Sequence, residues 1–334
     1  MTQPLGVIGG GAWGTALAQV LAHKGHEVLL WTREPEVADA VNRTHENPVF
    51  LPGVVLNAHL KATPSLPEMA ACAAWVLAVP VQHLRSLAVQ LAALPPTEPP
   101  PQPLIVASKG LEVATLTLPS RILAEILPGH SLAVLSGPSF AGEVARGLPV
   151  ALTLGCADDE ASARWVAGFS GRSVRLYPTT DVIGVQVGGA VKNVLALACG
   201  IALGLQLGDN ARAALISRGL VEMMRLAEAL GGRAETLMGL SGVGDTVLTC
   251  SSLQSRNMAF GVALGQGARA EDLLAGRVSV CEGVPTAKAV RALAGKLGVR
   301  MPICEAVDDV LHGHIPLQEA IAHLLDRPSR PEGR

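Results

Sequence analysis

The stretch Gly189-Ala190-Val191-Lys192-Asn193-Val194 places an ammonium inside an apolar, helix-forming run. From Val194 to Leu205 every residue is apolar or glycine, and Val182, Ile183, Val185 and Val187 lie upstream. Burial disfavours the charged form of a lysine and can move its pKa by several units. Such a side chain either snorkels to the surface from a helix end or serves as an acid–base group. The segment by itself leaves both open.

A second segment supplies a reason for the acid–base role. Gly9-Gly10-Gly11-Ala12-Trp13-Gly14 is a G-x-G-x-x-G carrying glycines at Gly9, Gly11 and Gly14. The first makes a strand-to-helix turn, the second admits a pyrophosphate close to the backbone, and the third lets helix and strand pack. The pattern alone is a weak signal. Here it follows the strand-like Leu5-Gly6-Val7-Ile8 and opens an amphipathic helix, with a second strand from Glu27 to Trp31. That context predicts a dinucleotide site, and a hydride donor needs a proton donor beside it. After the second strand the chain runs Thr32-Arg33-Glu34. Arg33 suits a 2′-phosphate and favours NADP, Glu34 leaves NAD open, and an ordinary solvated arginine is the alternative.

Val79-Pro80-Val81, Ser108-Lys109-Gly110 and Ser136-Gly137-Pro138-Ser139 each follow a strand-like run. Carboxyl ends of strands line the ligand crevice of an open α/β sheet, so these polar turns are expected at one edge with Gly9–Gly14. Further on, Gly242-Val243-Gly244-Asp245-Thr246 and Ser255-Arg256-Asn257 add donors suited to phosphate. Both also read as helix caps, from Asp245 and Ser255. Gly137-Pro138-Ser139-Phe140-Ala141 lacks the second glycine of a nucleophile elbow. With no H-E-x-x-H and no C-x-x-C, no metal is expected.

The elements that must position these groups alternate first. Strand-like runs recur at Leu60–Ala62, Trp75–Val79, Leu104–Ala107, Leu132–Leu135, Val150–Leu154 and Val174–Leu176, with helical patterns such as Val81–Leu94 and Leu118–Leu127 between them. After Tyr177-Pro178 only helical periods follow: Asp181–Leu207, Ala211–Leu230, Ala287–Gly295 and Glu305–His312. The expected fold is α/β: an N-terminal doubly wound, mostly parallel Rossmann-type sheet followed by an all-α C-terminal domain. The expected boundary puts residues 1–180 in the dinucleotide domain and 181–334 in the helical substrate and catalytic domain. Pro95–Pro103 reads as an extended surface loop and Pro328–Arg334 as a frayed tail.

Composition narrows the class. The 334 residues carry 26 basic and 28 acidic side chains, so no electrostatic footprint for nucleic acid exists. The six cysteines are scattered, no signal peptide is read, and the run Val194–Leu205 is shorter than the ~20 residues of a membrane span. A cytoplasmic protein with no integral membrane segment is expected.

Together these segments resemble the bacterial-type NAD(P)-dependent glycerol-3-phosphate dehydrogenases. The blocks that carry the likeness are Gly9–Ala18, Ser108–Glu112, Ser136–Ala141, Gly184–Asn193, Gly208–Arg212, Gly242–Asp245, Thr249-Cys250 and Gln254–Asn257, in order from about residue 5 to residue 320. The resemblance implies NADPH- or NADH-dependent reduction of dihydroxyacetone phosphate to sn-glycerol 3-phosphate for phospholipid synthesis, by a homodimer. It implies Lys192 as catalytic acid/base, with Lys109, Gly137, Ser139, Asp245, Ser255, Arg256 and Asn257 lining the substrate. Ala12, Trp13, Arg33, Lys109, Ala141, Arg256, Val280 and Glu282 would contact the cofactor. The proline-rich loop and Val284-Pro285-Thr286 depart from the common pattern, away from this chemistry. Two other readings compete: another two-domain hydroxy-acid dehydrogenase, and a non-catalytic NADPH-sensing protein.

Overall fold

A computed structural model describes residues 3–95, 102–275 and 281–328. The expectations for Val280, for most of the Pro95–Pro103 loop and for the tail after Pro328 lie outside the described residues. Two compact units form: Met1–Lys109 with Leu118–Val182, and Gly110–Thr117 with Ile183–Arg334. The short excursion Gly110–Thr117 groups with the second unit, which a single boundary near residue 180 does not capture.

In the first unit, β1 (Leu5–Ile8), α1 (Ala12–His23), β2 (Val28–Trp31), α2 (Pro35–Thr44), β3 (Leu60–Thr63), β4 (Ala74–Leu77) and α3 (Val81–Ala92) come first. They are followed by β5 (Leu104–Val106), α4 (Pro119–Ile126), β6 (Leu132–Ser136), α5 (Ala141–Ala145), β7 (Val150–Cys156), α6 (Asp159–Phe169) and β8 (Val174–Thr179). Among the described residues the strands make one eight-stranded sheet in the order β3-β2-β1-β4-β5-β6-β7-β8. All pairings are parallel except β6 with β7. Val7, Val76, Ile105 and Leu135 bury into one core with α1, α5 and α6, while the alternate residues Ile8, Leu77, Leu104 and Val106 are equally inaccessible. A sheet buried on both faces explains why its strands read as continuous apolar runs. Local signals set the helix ends: Pro35 opens α2 at its first turn, and the Asp158 carboxylate accepts the Ala161 N–H at 2.9 Å to start α6.

Apart from the turns of Gly110–Thr117, which an antiparallel bridge between Glu112 and Thr117 closes, the elements of the second unit are all helical among the described residues. It comprises α7 (Val182–Gly204), α8 (Gly208–Ala229), α9 (Ala234–Leu237), a π-helical turn at Leu240–Gly244, α10 (Asp245–Cys250), α11 (Arg256–Gly265), α12 (Ala270–Leu274), α13 (Gly283–Leu297), α14 (Pro302–Leu311) and α15 (Leu317–Leu325). At 23 residues, α7 fills the expected helical period Asp181–Leu207 and extends well upstream of the apolar run Val194–Leu205. By length and composition it could cross a membrane, but 89% of its apolar window is buried inside the protein, where it forms the axis of the unit. A helix apolar all round belongs in such a core.

Two glycine pairs spaced by four, Gly200/Gly204 on α7 and Gly261/Gly265 on α11, bring those backbones into contact. A Cβ on Gly200 would lie 2.9 Å from Gly261 Cα, and one on Gly204 3.0 Å from Gly265 Cα. Small residues at this spacing permit close helix approach. On α8, Gly219 packs against Leu195 of α7, and one turn later buried Glu222 reaches the start of α14. Its carboxylate accepts the N–H groups of Ile303 (2.8 Å) and Cys304 (3.3 Å). Desolvation pushes the Glu222 carboxyl up to about 7, against the lowering effect of those two amides. A carboxyl whose folded pKa is raised stabilises the fold at low pH, and that contribution is lost as pH rises through about 7. Thermal melts of the wild type should therefore fall more steeply than those of Glu222→Gln as pH rises from about 4.5 to about 7, and run parallel to them above that. Curves parallel throughout would show that the carboxyl is already ionised in mild acid.

Candidate active site

In the first unit the carboxyl ends of β1, β4, β5 and β6 are neighbours, and the polar turns that follow them are tied together. Ala78 N–H donates to Ile8 O (2.9 Å), Ala107 N–H to Leu77 O (2.8 Å) and Ser108 Oγ to Val79 O (2.6 Å). Lys109 Nζ donates to Gly137 O at 3.3 Å, and Ser139 Oγ to the same carbonyl at 3.0 Å. Lys109, Gly137 and Ser139 thus meet at one sheet edge, with Ala141 beginning α5 nearby in sequence.

The glycine turn opens this edge. Gly9 has φ +124°, and a Cβ there would lie 2.9 Å from the Ala78 carbonyl carbon. A Cβ on Gly14 would fall on Gly9 O, whereas one on Gly11 would meet nothing within 4 Å. Two of the glycines are needed for packing, and the third leaves room for an outside group. Helix α1 starts at Ala12 with no side-chain cap and no acidic residue in its first turn, so its unpaired amides face an anion without competition. These residues fit a dinucleotide pyrophosphate. Asn47, which sequence reasoning missed, is fully buried and donates to Gly10 O and Thr15 Oγ1, both at 2.8 Å, fixing the turn from outside its own motif. Trp13 is half-buried at the start of α1.

At the end of β2 the Arg33 guanidinium is 80% exposed and pairs with Glu34 Oε1 at 3.0 Å. Thr32 Oγ1 donates to Glu34 Oε2 at 2.9 Å, so both carboxylate oxygens are engaged. An exposed planar cation held at this strand end suits a phosphate better than the occupied carboxylate suits a ribose hydroxyl.

In the second unit, Lys192 lies mid-helix in α7 with its side chain 9% exposed. Its Nζ donates to Asp245 Oδ1 at 2.6 Å and to Thr249 Oγ1 at 2.9 Å, and Asp245 is inaccessible to solvent. Of the two readings of this lysine, snorkelling is therefore wrong. The π-helical turn explains the meeting. Gly188, one helical turn before Lys192, lets the backbone at Ser241-Gly242 press on α7, and a Cβ there would lie 2.9 Å from the Ser241 carbonyl carbon. The next turn delivers Asp245, and Thr249 follows four residues later on the same face of α10. Asp245 does not cap its helix. The i, i+4 spacing of Asp245 and Thr249 was visible in the sequence; their common partner was not.

The triplet 255–257 separates. Ser255 Oγ accepts the Met258 N–H at 3.2 Å and caps α11, Arg256 is exposed at the first helical position, and Asn257 turns inward. Asn257 Nδ2 donates to Asn193 Oδ1 (2.9 Å), while its Oδ1 accepts the Gly283 N–H and the Cys281 thiol, both at 2.9 Å. Glu282 sits between those two donors at the start of α13.

The N- and C-terminal family models of NAD-dependent glycerol-3-phosphate dehydrogenase match residues 4–162 and 181–322. The chain belongs to this family. The glycerol-3-phosphate dehydrogenase (NAD(P)+) of Caulobacter vibrioides is 54% identical over 331 residues, covering 99% of each chain. That of Rhodospirillum rubrum is 52% identical over 330 residues, covering 98% of this chain and 94% of its own. The crystal structure of glycerol-3-phosphate dehydrogenase from Coxiella burnetii matches with a TM-score of 0.92 at 38% identity, covering 98% of this chain and 99% of that one. The family places an NAD(P)-dependent oxidoreductase on this Rossmann-type sheet and helical unit, as the resemblance implied.

Proposed function

We propose that the chain reduces dihydroxyacetone phosphate to sn-glycerol 3-phosphate reversibly, with Lys192 as the proton donor and acceptor. The observation that carries this is the buried ammonium held between Asp245 Oδ1 and Thr249 Oγ1. When bound, NADPH or NADH would supply the hydride. Lys192 then meets the negative charge that develops on the ketone oxygen and delivers its proton there. Asp245 keeps the ammonium charged despite burial, and Thr249 fixes its direction. In the first unit, Gly9, Gly11, Gly14 and the amides of Ala12 and Trp13 hold the dinucleotide, with Lys109, Gly137 and Ser139 at the neighbouring strand ends. Exposed Arg256, at the N-terminus of α11, offers a planar cation and helix amides to the substrate phosphate. Glu282 and Arg33 serve the cofactor. A cytoplasmic location, a homodimeric state and a role in phospholipid synthesis accompany this reading.

The test is oxidation of NADPH and of NADH with dihydroxyacetone phosphate, compared with the unphosphorylated ketone. Arg33→Ala should raise KM for NADPH about tenfold or more, the size of a lost charge-assisted hydrogen bond, and leave KM for NADH nearly unchanged. Equal effects on both cofactors would remove the 2′-phosphate role. Turnover of the unphosphorylated ketone as fast as the phosphorylated one would refute the substrate.

A further inference from the structure

The amide chain in the second unit has a pattern that the proposed roles do not use. Each of its members adjoins, in sequence, a residue proposed to touch ligand. Asn193 follows Lys192 on α7, Asn257 follows Arg256 on α11, and Cys281 and Gly283 flank Glu282 at the start of α13. All four are buried, and three hydrogen bonds of 2.9 Å join them across three separate elements.

A carboxamide can be held either way round, and its neighbours decide which end accepts. Gly283 N–H and the Cys281 thiol are both donors, so together they hold Asn257 Oδ1 toward α13. The Asn257 Nδ2 end then faces α7 and donates to Asn193 Oδ1. That in turn leaves Asn193 Nδ2 to donate to Gly189 O, one turn back on its own helix, at 3.4 Å. Four donors thus set both amides, and the series starts from a thiol and a backbone N–H acting on one oxygen. A Cβ on Gly283 would lie 2.7 Å from Asn257 Oδ1 and 2.8 Å from Asn193 O, so the backbones at Gly283 and Asn193 and the Asn257 side chain have no slack. Lys192 itself has an independent hold through Asp245 and Thr249.

We infer that Cys281 is a positioning residue: its thiol orients the Asn257 carboxamide, and through it keeps Arg256 and Glu282 in register with Lys192. The inference rests on the functional reading above. Because Arg256 and Glu282 bind and Lys192 is fixed separately, loss of the thiol acts on ligand affinity more than on the chemical step.

The experiment compares full-length wild type, Cys281→Ala and Cys281→Ser in steady-state kinetics, in NADPH binding by fluorescence and in thermal melts. Alanine removes the donor, and serine keeps one. Cys281→Ala should raise KM for dihydroxyacetone phosphate and weaken NADPH binding about three- to tenfold, the size of one neutral hydrogen bond, with a smaller effect on kcat. Cys281→Ser should restore most of both. The inference is overturned if the alanine variant binds like wild type, if alanine and serine are equally impaired, or if only the melting temperature moves. Should wild type not turn over dihydroxyacetone phosphate at all, the functional reading fails, and the NADPH affinities of the same three proteins still decide whether Cys281 positions Glu282.

Discussion

Lys192→Ala is expected to lower kcat by a factor of about 10²–10⁴, the range contributed by a positioned general acid, while NADPH affinity stays close to wild type. The glycine turn and the Arg33 strand end proposed for the cofactor lie in the first unit of the chain, and Lys192 is not among the residues proposed to touch the cofactor. The substitution also removes the ammonium paired at 2.6 Å with the Asp245 carboxylate, which is inaccessible to solvent. Breaking one side of a buried ion pair costs about 3–5 kcal/mol. A drop in activity alone would therefore be ambiguous. The double variant Lys192→Met/Asp245→Leu separates the two causes, because replacing both charges by apolar groups is often neutral for stability. It should recover much of the melting temperature lost in Lys192→Ala and remain inactive. Turnover that returns with stability would remove Lys192 from the chemistry.

The second large effect is on assembly of the helical unit. Gly261→Val should strongly destabilise the protein, and Gly261→Ala should destabilise it less. Replacing a mid-helix glycine by alanine gains about 1 kcal/mol of helix propensity. At Gly261 that gain is outweighed, because the new Cβ falls on Leu197 O and lies 3.0 Å from Gly200 Cα. Both obstacles are backbone, so no side-chain rotation relieves them, and overpacking of this kind costs about 1–3 kcal/mol or more. Valine adds two further methyls without the propensity gain. The collision pushes α11 from α7, and Asn257 is one turn before Gly261, so its bond to Asn193 lengthens as well. Loss of melting temperature should thus be accompanied by a higher KM. If Gly261→Ala were as stable as wild type, the close α7–α11 crossing would be absent in solution. A control at Gly295, where a Cβ meets nothing within 4 Å, should show the propensity gain alone.

Much of the first unit was legible because its signals are local. A strand, three glycines and a helix follow one another within Leu5–His23, although that helix is buried all round from Gly14 to Ala22 rather than amphipathic, and alternation of apolar runs with helices announced the parallel sheet. The expected convergence of Ser108-Lys109, Gly137 and Ser139 needed only the rule that parallel strands end on one side, and β4, β5 and β6 obey it. The antiparallel turn of β7 was not legible, since an apolar run has no sign of direction. In the second unit the helices were visible, but their mutual register was not. The glycine pairs at 200/204 and 261/265 and the four-residue spacing of Asp245 and Thr249 stood in the sequence, each with no indication of its partner.

The residue types and their local order determined the chemistry: a phosphate-cradling turn, an arginine after the second strand and a lysine in an apolar helix. Tertiary structure decided what Lys192 is. Its length and helical position allowed either a snorkelling head or a buried one, and the choice depended on a carboxylate 53 residues away in the chain. That carboxylate arrives only because Gly188 admits the backbone of a π-helical turn, and because α7 sits at the centre of its unit with no surface to escape to. Contacts between distant backbones carry no periodicity of their own, so the folded chain alone could specify them.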